Sequence, residues 1–230
     1  MKNKQNTSKK KQLLNSIISL ALVFVIANLV FTLLQQLFFM PIGVIGPSMT
    51  PTLPESDSSV MITKSSYEIE RGDVVVVYRP LTEAALELEN PAEKKFDINE
   101  YFRHFLRLNK LSDSSETDTA FKLIIKRVIG ISGDTIRIED SVLYVNGVAD
   151  TTFDMVAKNT NGYGVNDIPE FVVGEDLYFI MGDNRNNSLD SEDYYTSGIG
   201  TTNGCIPSSW VFGKAIIVVD KSDGFKIAKI

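Results

Sequence analysis

The chain has 230 residues, of which 43% are apolar, 29 are acidic and 23 are basic. It is too apolar to be disordered and long enough for one sizeable domain with accessory segments. Outside its first 12 residues the chain has 18 basic and 29 acidic residues, and this net charge of −11 offers no basic surface for phosphates, so we exclude nucleic acid as a partner.

The N-terminal 40 residues divide into a basic tail and an uncharged apolar run. Residues 1–12 carry five lysines and no acid, and residues 13–40 carry no charge. A bilayer core needs about 20 helical residues, so the run predicts a transmembrane helix. The positive-inside rule then makes residues 1–12 a cytoplasmic tail and places residues 41–230 in an extracytoplasmic domain.

We interpret residues 13–40 as an uncleaved signal anchor. The alternative is a cleaved signal peptide, but the run is about twice as long as a typical apolar region of such a peptide. In addition, no A-x-A-like cleavage site precedes Pro41.

Beyond the anchor the pattern is typical of strands. Apolar, β-branched runs predict four strands and a hairpin closed by Asn146-Gly147. The strands are expected at 59–64, 73–78, 121–131 and 210–220, and the hairpin at 135–147. No alternation of strands and helices occurs, so we expect a mainly β fold, an antiparallel sheet or barrel-like domain. Polar residues 81–119, with a helical stripe between Ile98 and Leu106, predict a small helical insertion.

Just after the anchor, "PIGVIGPSMTPTL" (41–53) presents Ser48. A hydroxyl becomes a good nucleophile only when a neighbouring base removes its proton. The single histidine, His104, lies in the polar insertion, where a solvated surface position is the plainer interpretation. A Ser-His-Asp triad is therefore disfavoured.

A lysine is the other candidate base, provided that burial lowers its pKa by about 2 to 3 units. Lys126 stands in "KLIIKRVIG", the most apolar strand context of any lysine outside the anchor. A snorkelling lysine at a sheet edge is the alternative interpretation. Arg127 points to the opposite face of the same strand, so we expect it to be structural.

The single cysteine, Cys205, is predicted to be a small core residue. A cysteine transpeptidase such as a sortase combines Cys, His and Arg, but no arginine follows Cys205. The sequence has one histidine, one cysteine and no H-E-x-x-H pattern, so we expect no metal and no cofactor.

Three motifs together resemble type I signal peptidase, the membrane-anchored Ser-Lys endopeptidase that removes signal peptides from exported proteins. "GPSMTPTL" (46–53) resembles its nucleophile box, "KRVIGISGD" (126–134) its lysine box and "GDNRNNSLDS" (182–191) its third box. The order and spacing of the motifs and the out-facing anchor support the resemblance, which is Gram-positive-like. It covers the anchor and most of the remaining chain, but not residues 81–119.

The resemblance implies that Ser48 is the nucleophile and Lys126 the general base. A third residue, Ser188, would orient the lysine amine. Asp183, Arg185 and Asp190 would support the site from behind, although turn capping and surface ion pairing explain Arg185 and Asp190 nearly as well.

The same resemblance implies signal peptides of secreted preproteins as substrates, cleaved after small residues in an Ala-x-Ala pattern. The implied substrate-binding residues are Val44, Gly46, Met49, Leu53 and Ile125. The lipid bilayer is the other implied partner. The oxyanion hole is expected to include the Ser48 N–H. Some relatives carry a hydroxyl two residues before the nucleophile as a further donor; this chain has Gly46 there, which leaves the second donor open.

The chain departs from the family pattern at three further positions. It has Ser132 where the family usually has Pro, Asn186 where Asp is frequent and Glu192 where Arg is frequent. These departures put the supporting ion pairs in doubt but leave both predicted catalytic residues in place.

The main alternative is a non-catalytic, signal-peptidase-like factor for the assembly of surface polymers or pili. The presence of both Ser48 and Lys126 favours the peptidase. A self-cleaving repressor would share a Ser-Lys pair, but it would not need the anchor.

Overall fold

A computed structural model describes residues 2–55, 58–63, 68–81, 121–198, 202–220 and 226–230. The chain divides between Met40 and Pro41 into two compact units. The first is formed by helix α1, Lys2–Phe38, and its segment Lys11–Phe31 is long and apolar enough to cross a membrane. Helix α1 begins inside the basic tail, since lysine and glutamine are good helix formers.

In the part that the structure describes, the second unit consists mainly of short strands, with one short α-helix. The strands are β1 Phe39–Gly43, β2 Ser58–Thr63, β3 Val74–Pro80, β4 Phe121–Gly130, β5 Thr135–Glu139, β6 Val142–Val145, β7 Val148–Asp150, β8 Ile168–Val172, β9 Leu177–Met181, β10 Ile206–Pro207, β11 Val211–Asp220 and β12 Lys226–Lys229. Helix α2 covers Ser191–Ser197. The first two residues of β1 are thus the last two of the predicted anchor.

The strands form two antiparallel sheets. The larger has the order β1-β2-β11-β3-β4-β9-β10, with β12 beside β11, and the smaller has the order β7-β6-β5-β8. Neighbours in the central part pair antiparallel, including β3 with β4 and β4 with β9. The predicted mainly β, antiparallel class is confirmed. The helical insertion predicted at 81–119 lies outside the described residues except for Leu81, and so does His104.

The predicted hairpin is two hairpins in succession. Asp140 and Ser141, with φ of 51° and 61°, join β5 to β6, and Asn146-Gly147, with φ of 52° and 76°, joins β6 to β7. Paired positive φ values match the right-handed twist of the flanking strands. Asn146-Gly147 therefore closes the second hairpin, whose β7 is only three residues long.

Two buried apolar clusters hold the domain together. One joins the smaller sheet to β9 through Ile136, Leu143 and Phe179, and it contains Cys205, which is a core residue as predicted. The other cluster lies along β3 and β4 and includes Val75, Val128, Ile180, Tyr194 and Trp210. Burying an aliphatic side chain of this size contributes about 1.5 to 3 kcal/mol. The second cluster places an apolar wall around Lys126, because Val75 is its direct cross-strand partner.

Candidate active site

Ser48 lies in a single 3₁₀ turn, Pro47–Met49, that follows β1. Proline suits the first position of such a turn because it has no backbone N–H, and an N–H at this position would have no partner within the turn. The turn is closed by the Thr50 N–H, which donates to the Pro47 carbonyl at 3.0 Å, and is extended by the Leu53 N–H, which donates to Met49 at 2.9 Å. These bonds fix the backbone on both sides of the Ser48 hydroxyl.

Gly46 begins this turn with φ of 89°. L-amino acids rarely adopt this conformation, whereas glycine adopts it without cost. A Cβ at Gly46 would meet nothing within 4 Å, so the position needs glycine for its backbone conformation and not for close packing. This gives a physical reason for the absence of a side-chain hydroxyl here.

Lys126 projects from β4 toward the turn, and its Nζ lies 2.9 Å from Ser48 Oγ. The second polar contact of the amine is the carbonyl of Ile125 at 3.0 Å. Only 3% of Lys126 is exposed. The fold therefore brings two residues that are 78 positions apart in the sequence into hydrogen-bond contact in a nearly dry environment.

Burial lowers the pKa of Lys126 from 10.5 to about 8 and is the largest influence on it. The carboxylate of Asp190 opposes this shift, and the positive charge of Arg79 adds to it. With a pKa of about 8, roughly a tenth of the amines are neutral at pH 7, compared with fewer than one in a thousand for a free lysine. A neutral amine can accept a proton from Ser48 Oγ.

Arg127 occupies the other face of β4 and is fully paired. Its Nε and Nη2 donate to the two carboxylate oxygens of Asp183 at 2.7 and 2.6 Å, and its Nη1 donates to the Gly72 carbonyl at 2.6 Å. Bidentate arginine–carboxylate pairs fix geometry as well as charge. The structural role expected for Arg127 agrees with these contacts, and Asp183 ties the segment after β9 to β4.

The segment 182–191 holds the nucleophile turn from behind. The backbone N–H of Asn184 donates to the Ser48 carbonyl at 3.1 Å, and its side-chain amide donates to the Pro47 carbonyl at 3.2 Å. Gly182 passes so close that a Cβ there would lie 2.4 Å from the Ser48 carbonyl oxygen and 2.3 Å from Ser188 Oγ. Only glycine fits between these atoms.

Asp190 links this segment to helix α2. One carboxylate oxygen accepts from the Gly182 N–H at 2.7 Å, and the other caps the helix by accepting from the Glu192 N–H at 3.3 Å. Burial raises the pKa of Asp190, and the nearby Lys126 charge works in the opposite direction. The carboxylate is thus a turn and helix cap placed near the Lys126 amine.

Ser188 and Arg185 lie in the same segment. The Ser188 hydroxyl is buried and lies beside the Asp190 carboxylate, and it makes no hydrogen bond to the Lys126 amine. Arg185 is buried, donates from Nε to the Gly182 carbonyl at 3.1 Å and lies 3.4 Å from the Asp150 carboxylate. Arg185 therefore anchors the backbone next to the dyad and does not touch it.

The predicted substrate residues surround the nucleophile turn. Val44, Met49 and Leu53 are buried, and Gly46 and Ile125 are half-buried. Ile125 shares β4 with Lys126, while Val44 precedes and Leu53 follows the turn. Along the chain, apolar residues therefore stand on both sides of Ser48, and their role in substrate binding stays a prediction.

Comparison with known proteins decides the family. Residues 17–219 match the family model described as "Signal peptidase, peptidase S26". The chain belongs to this family. Its relatives include Signal peptidase I of Bacillus licheniformis, 28% identical over 200 residues that cover 84% of this chain and 85% of the relative.

Two relatives from Bacillus subtilis (strain 168) are similar over the same extent. Signal peptidase I T is 29% identical over 198 residues, which are 83% of this chain and 82% of the relative. Signal peptidase I U is 29% identical over 199 residues, which are 84% of this chain and 85% of the relative. The predicted family and the predicted enzyme class, signal peptidase I, are confirmed.

Two departures from the signal peptidase pattern have local explanations. Asn186 accepts from the Val156 N–H at 2.7 Å and donates to the Asp154 carbonyl at 2.9 Å, and an aspartate could not make the second bond. Glu192 accepts from the Asn166 N–H at 2.7 Å and lies 3.7 Å from Lys158 Nζ. The positive charge near α2 therefore comes from Lys158, in the 156–166 loop. Ser132 is exposed, and nothing in the structure explains why it replaces proline.

Sequence reasoning missed three contributors to this site. Asn184 and Gly182 stand inside the third motif, and the motif itself was the only signal for them. Lys158, which also lies 2.5 Å from the Asp193 carboxylate, belongs to a loop without any recognisable pattern. Contacts between distant segments determine all three roles.

Proposed function

We infer that this signal peptidase is a membrane-anchored serine endopeptidase in which Ser48 is the nucleophile and Lys126 the general base. The observation that carries this proposal is the 2.9 Å contact between Ser48 Oγ and the buried Lys126 Nζ. Burial lowers the pKa of this lysine to about 8, which makes its neutral form accessible near neutrality. Its neighbour Arg127 is committed to Asp183 and does not compete for the serine.

The proposed reaction is acyl transfer through an ester on Ser48. Lys126 takes the Ser48 proton as Oγ attacks the scissile carbonyl, and the Ser48 N–H stabilises the oxyanion that forms. The resulting ammonium of Lys126 gives its proton to the leaving amine of the mature chain. Neutral again, Lys126 takes a proton from the water molecule that attacks the ester, and it passes this proton to Ser48 Oγ as the signal peptide leaves.

We propose cleavage after small residues in an Ala-x-Ala pattern. An extended peptide can add to exposed strand edges, which aligns alternate side chains with the pockets beside them. Val44, Met49, Leu53 and Ile125 are the proposed walls of these pockets. Leu53 and Met49 are both almost completely buried, so these walls have little freedom to move. A pocket with rigid walls favours small substrate side chains.

We also propose that α1 anchors the enzyme in the lipid bilayer with its N-terminus in the cytoplasm and residues 41–230 outside. The apolar segment Lys11–Phe31 supports the anchor by its length and composition. The five lysines within residues 1–12 support the orientation, because basic residues flank the cytoplasmic end of membrane helices.

The proposal is tested by cleavage of a preprotein that carries an Ala-x-Ala site, using the full chain purified in detergent. Ser48→Ala and Lys126→Ala should each lower kcat/KM by about a thousandfold or more, because the two groups act as a unit. Lys229→Ala, which removes an exposed lysine on β12, is the matched control and should cleave like the parent. Undiminished cleavage by either dyad variant would contradict the assignment.

The same assay separates the alternative, a non-catalytic assembly factor. The presence of both dyad residues in hydrogen-bond contact favours the peptidase. A folded parent that cleaves none of several preproteins would instead support the assembly factor.

A further inference from the structure

A cleft of about 400 Å³ adjoins the nucleophile turn. Its walls come from three segments: Thr50 and Pro51 after the nucleophile, residues 152–154 after β7, and residues 183–186 of the third motif. None of these cleft residues belongs to the proposed small-residue pockets. The cleft is therefore a second candidate contact region for a peptide substrate.

The cleft does not include Val44 or Ile125, two of the proposed pocket walls. Val44 precedes Ser48 and Ile125 precedes Lys126, and both are proposed to wall the pockets for the signal peptide. Thr50 and Pro51 follow Ser48, and Arg127 follows Lys126. Arg127 connects to the cleft through its ion pair with Asp183 and through Thr52 Oγ1, which lies 3.5 Å from its Nη2.

The cleft is also continuous with the turn that carries the nucleophile. Asn184, on one wall, donates to the carbonyls of Ser48 and Pro47 and lies 3.1 Å from Thr50 Oγ1, on the opposite wall. The cleft therefore adjoins the nucleophile turn through residues other than the proposed pocket walls.

The accessible charge of the cleft is negative. The side chains of Asp183 and Arg185 are 0% and 1% exposed and are paired with Arg127 and Asp150. Phe153 lies against both guanidinium groups, with its ring centre 5.8 Å from Arg127 Cζ and 5.2 Å from Arg185 Cζ. Asp154, by contrast, is exposed at the rim.

We propose that this cleft binds the first residues of the mature chain, those immediately after the scissile bond, and prefers a basic side chain there through Asp154. This inference rests on the proposed function. An amide side chain, which donates hydrogen bonds without a charge, should bind with intermediate strength, and an acidic side chain should bind most weakly because Asp154 repels it.

The test uses the full chain in detergent and a series of peptides that are identical up to the scissile bond. Each of the first four positions after the bond carries Lys, Gln or Glu in turn, and kcat/KM is measured at low ionic strength, where exposed charges act most strongly. At one or more positions the Lys peptide should be cleaved about fivefold better than the Glu peptide. This preference should shrink at high salt.

Variants of Asp154 assign the preference to the cleft. Asp154→Lys should reverse it, and Asp154→Asn should remove it. Glu170→Lys, which reverses an exposed charge on β8, is the matched control and should keep the parent preference.

Each outcome bears on a defined claim. A preference that persists in Asp154→Lys, or the lack of any preference in a parent that cleaves every peptide, overturns the cleft assignment and leaves the dyad intact. A parent that cleaves no peptide in the series removes the proposed function and the cleft assignment with it.

Discussion

Lys126 and Arg127 are adjacent on β4 but lie on opposite faces of the strand, and their surroundings differ. On one face Lys126 is buried beside Val75, and among the described residues its amine is hydrogen-bonded to the neutral oxygens of Ser48 and Ile125. On the other face Arg127 donates hydrogen bonds to the Asp183 carboxylate and to a backbone carbonyl. Because successive side chains point to opposite faces of a strand, these two adjacent residues lie in different environments.

The difference shows what converts a lysine into a base. Desolvation favours the neutral amine as long as no carboxylate contacts it directly, so burial outweighs the more distant charge of Asp190 and the pKa falls. Arginine stays charged in any protein environment, and a direct ion pair makes it a structural tie. One strand thereby supplies both a candidate base and the support that positions it.

The largest expected effect comes from removing the amine but keeping its volume. Lys126→Met should lower kcat/KM by about a thousandfold or more, since no base remains for Ser48. Its thermal unfolding temperature should equal or exceed that of the parent, because an apolar side chain suits the buried site better than an amine. Activity assays and calorimetry on one sample measure both, and a strongly destabilised, active variant would contradict this account.

Gly182→Ala should disturb the Lys126 face and leave the Arg127 face intact. The new methyl group would collide with the Ser48 carbonyl and the Ser188 hydroxyl, so the turn must shift, and we expect a loss of about a hundredfold in kcat/KM. Gly174→Ala is the control, because there the methyl group meets only the flexible tip of Leu177 at 3.0 Å. Equal activity of the two variants would argue against a close fit at Gly182.

Asp183→Asn should act on the Arg127 face. The substitution leaves a largely buried guanidinium without its counter-charge, which should lower the free energy of unfolding by about 2 kcal/mol. Solvent relieves part of the cost, because the Arg127 side chain is 20% exposed. Denaturant unfolding measures the change, with the exposed Asp167→Asn as control. An unfolding free energy equal to that of the parent would mean that the pair contributes geometry only.

The sequence predicted β4 well because its signals are local. Apolar periodicity located the strand, and alternation placed Lys126 and Arg127 on opposite faces before any contact was known. The Asn146-Gly147 turn was recognised but assigned to the wrong pair of strands, because three-residue β7 has no periodicity to detect. Helix α2 was missed for a similar reason, although Asp190 and Asp193 form a capping box at its start.

Other features depend on approaches between distant segments, which local patterns do not encode. The need for glycine at 182 arises from the Ser48 carbonyl, 134 positions earlier in the chain. The hydrogen bonds of Asn186 arise from the 154–156 loop, and the pairing of Glu192 from Asn166 and Lys158. Residue types reveal that these positions are unusual, and only the fold reveals what each one touches.

The central claim, that buried Lys126 is the base for Ser48, is tested most directly by the pH dependence of kcat/KM. The neutral amine is the active form, so cleavage should increase with pH through an apparent pKa of about 8. Since the folded pKa lies below the unfolded value of 10.5, stability should also rise between these two pH values, and this rise should vanish in Lys126→Met. An ascending limb near pH 10.5, or cleavage that does not change between pH 6 and 9, would contradict the account.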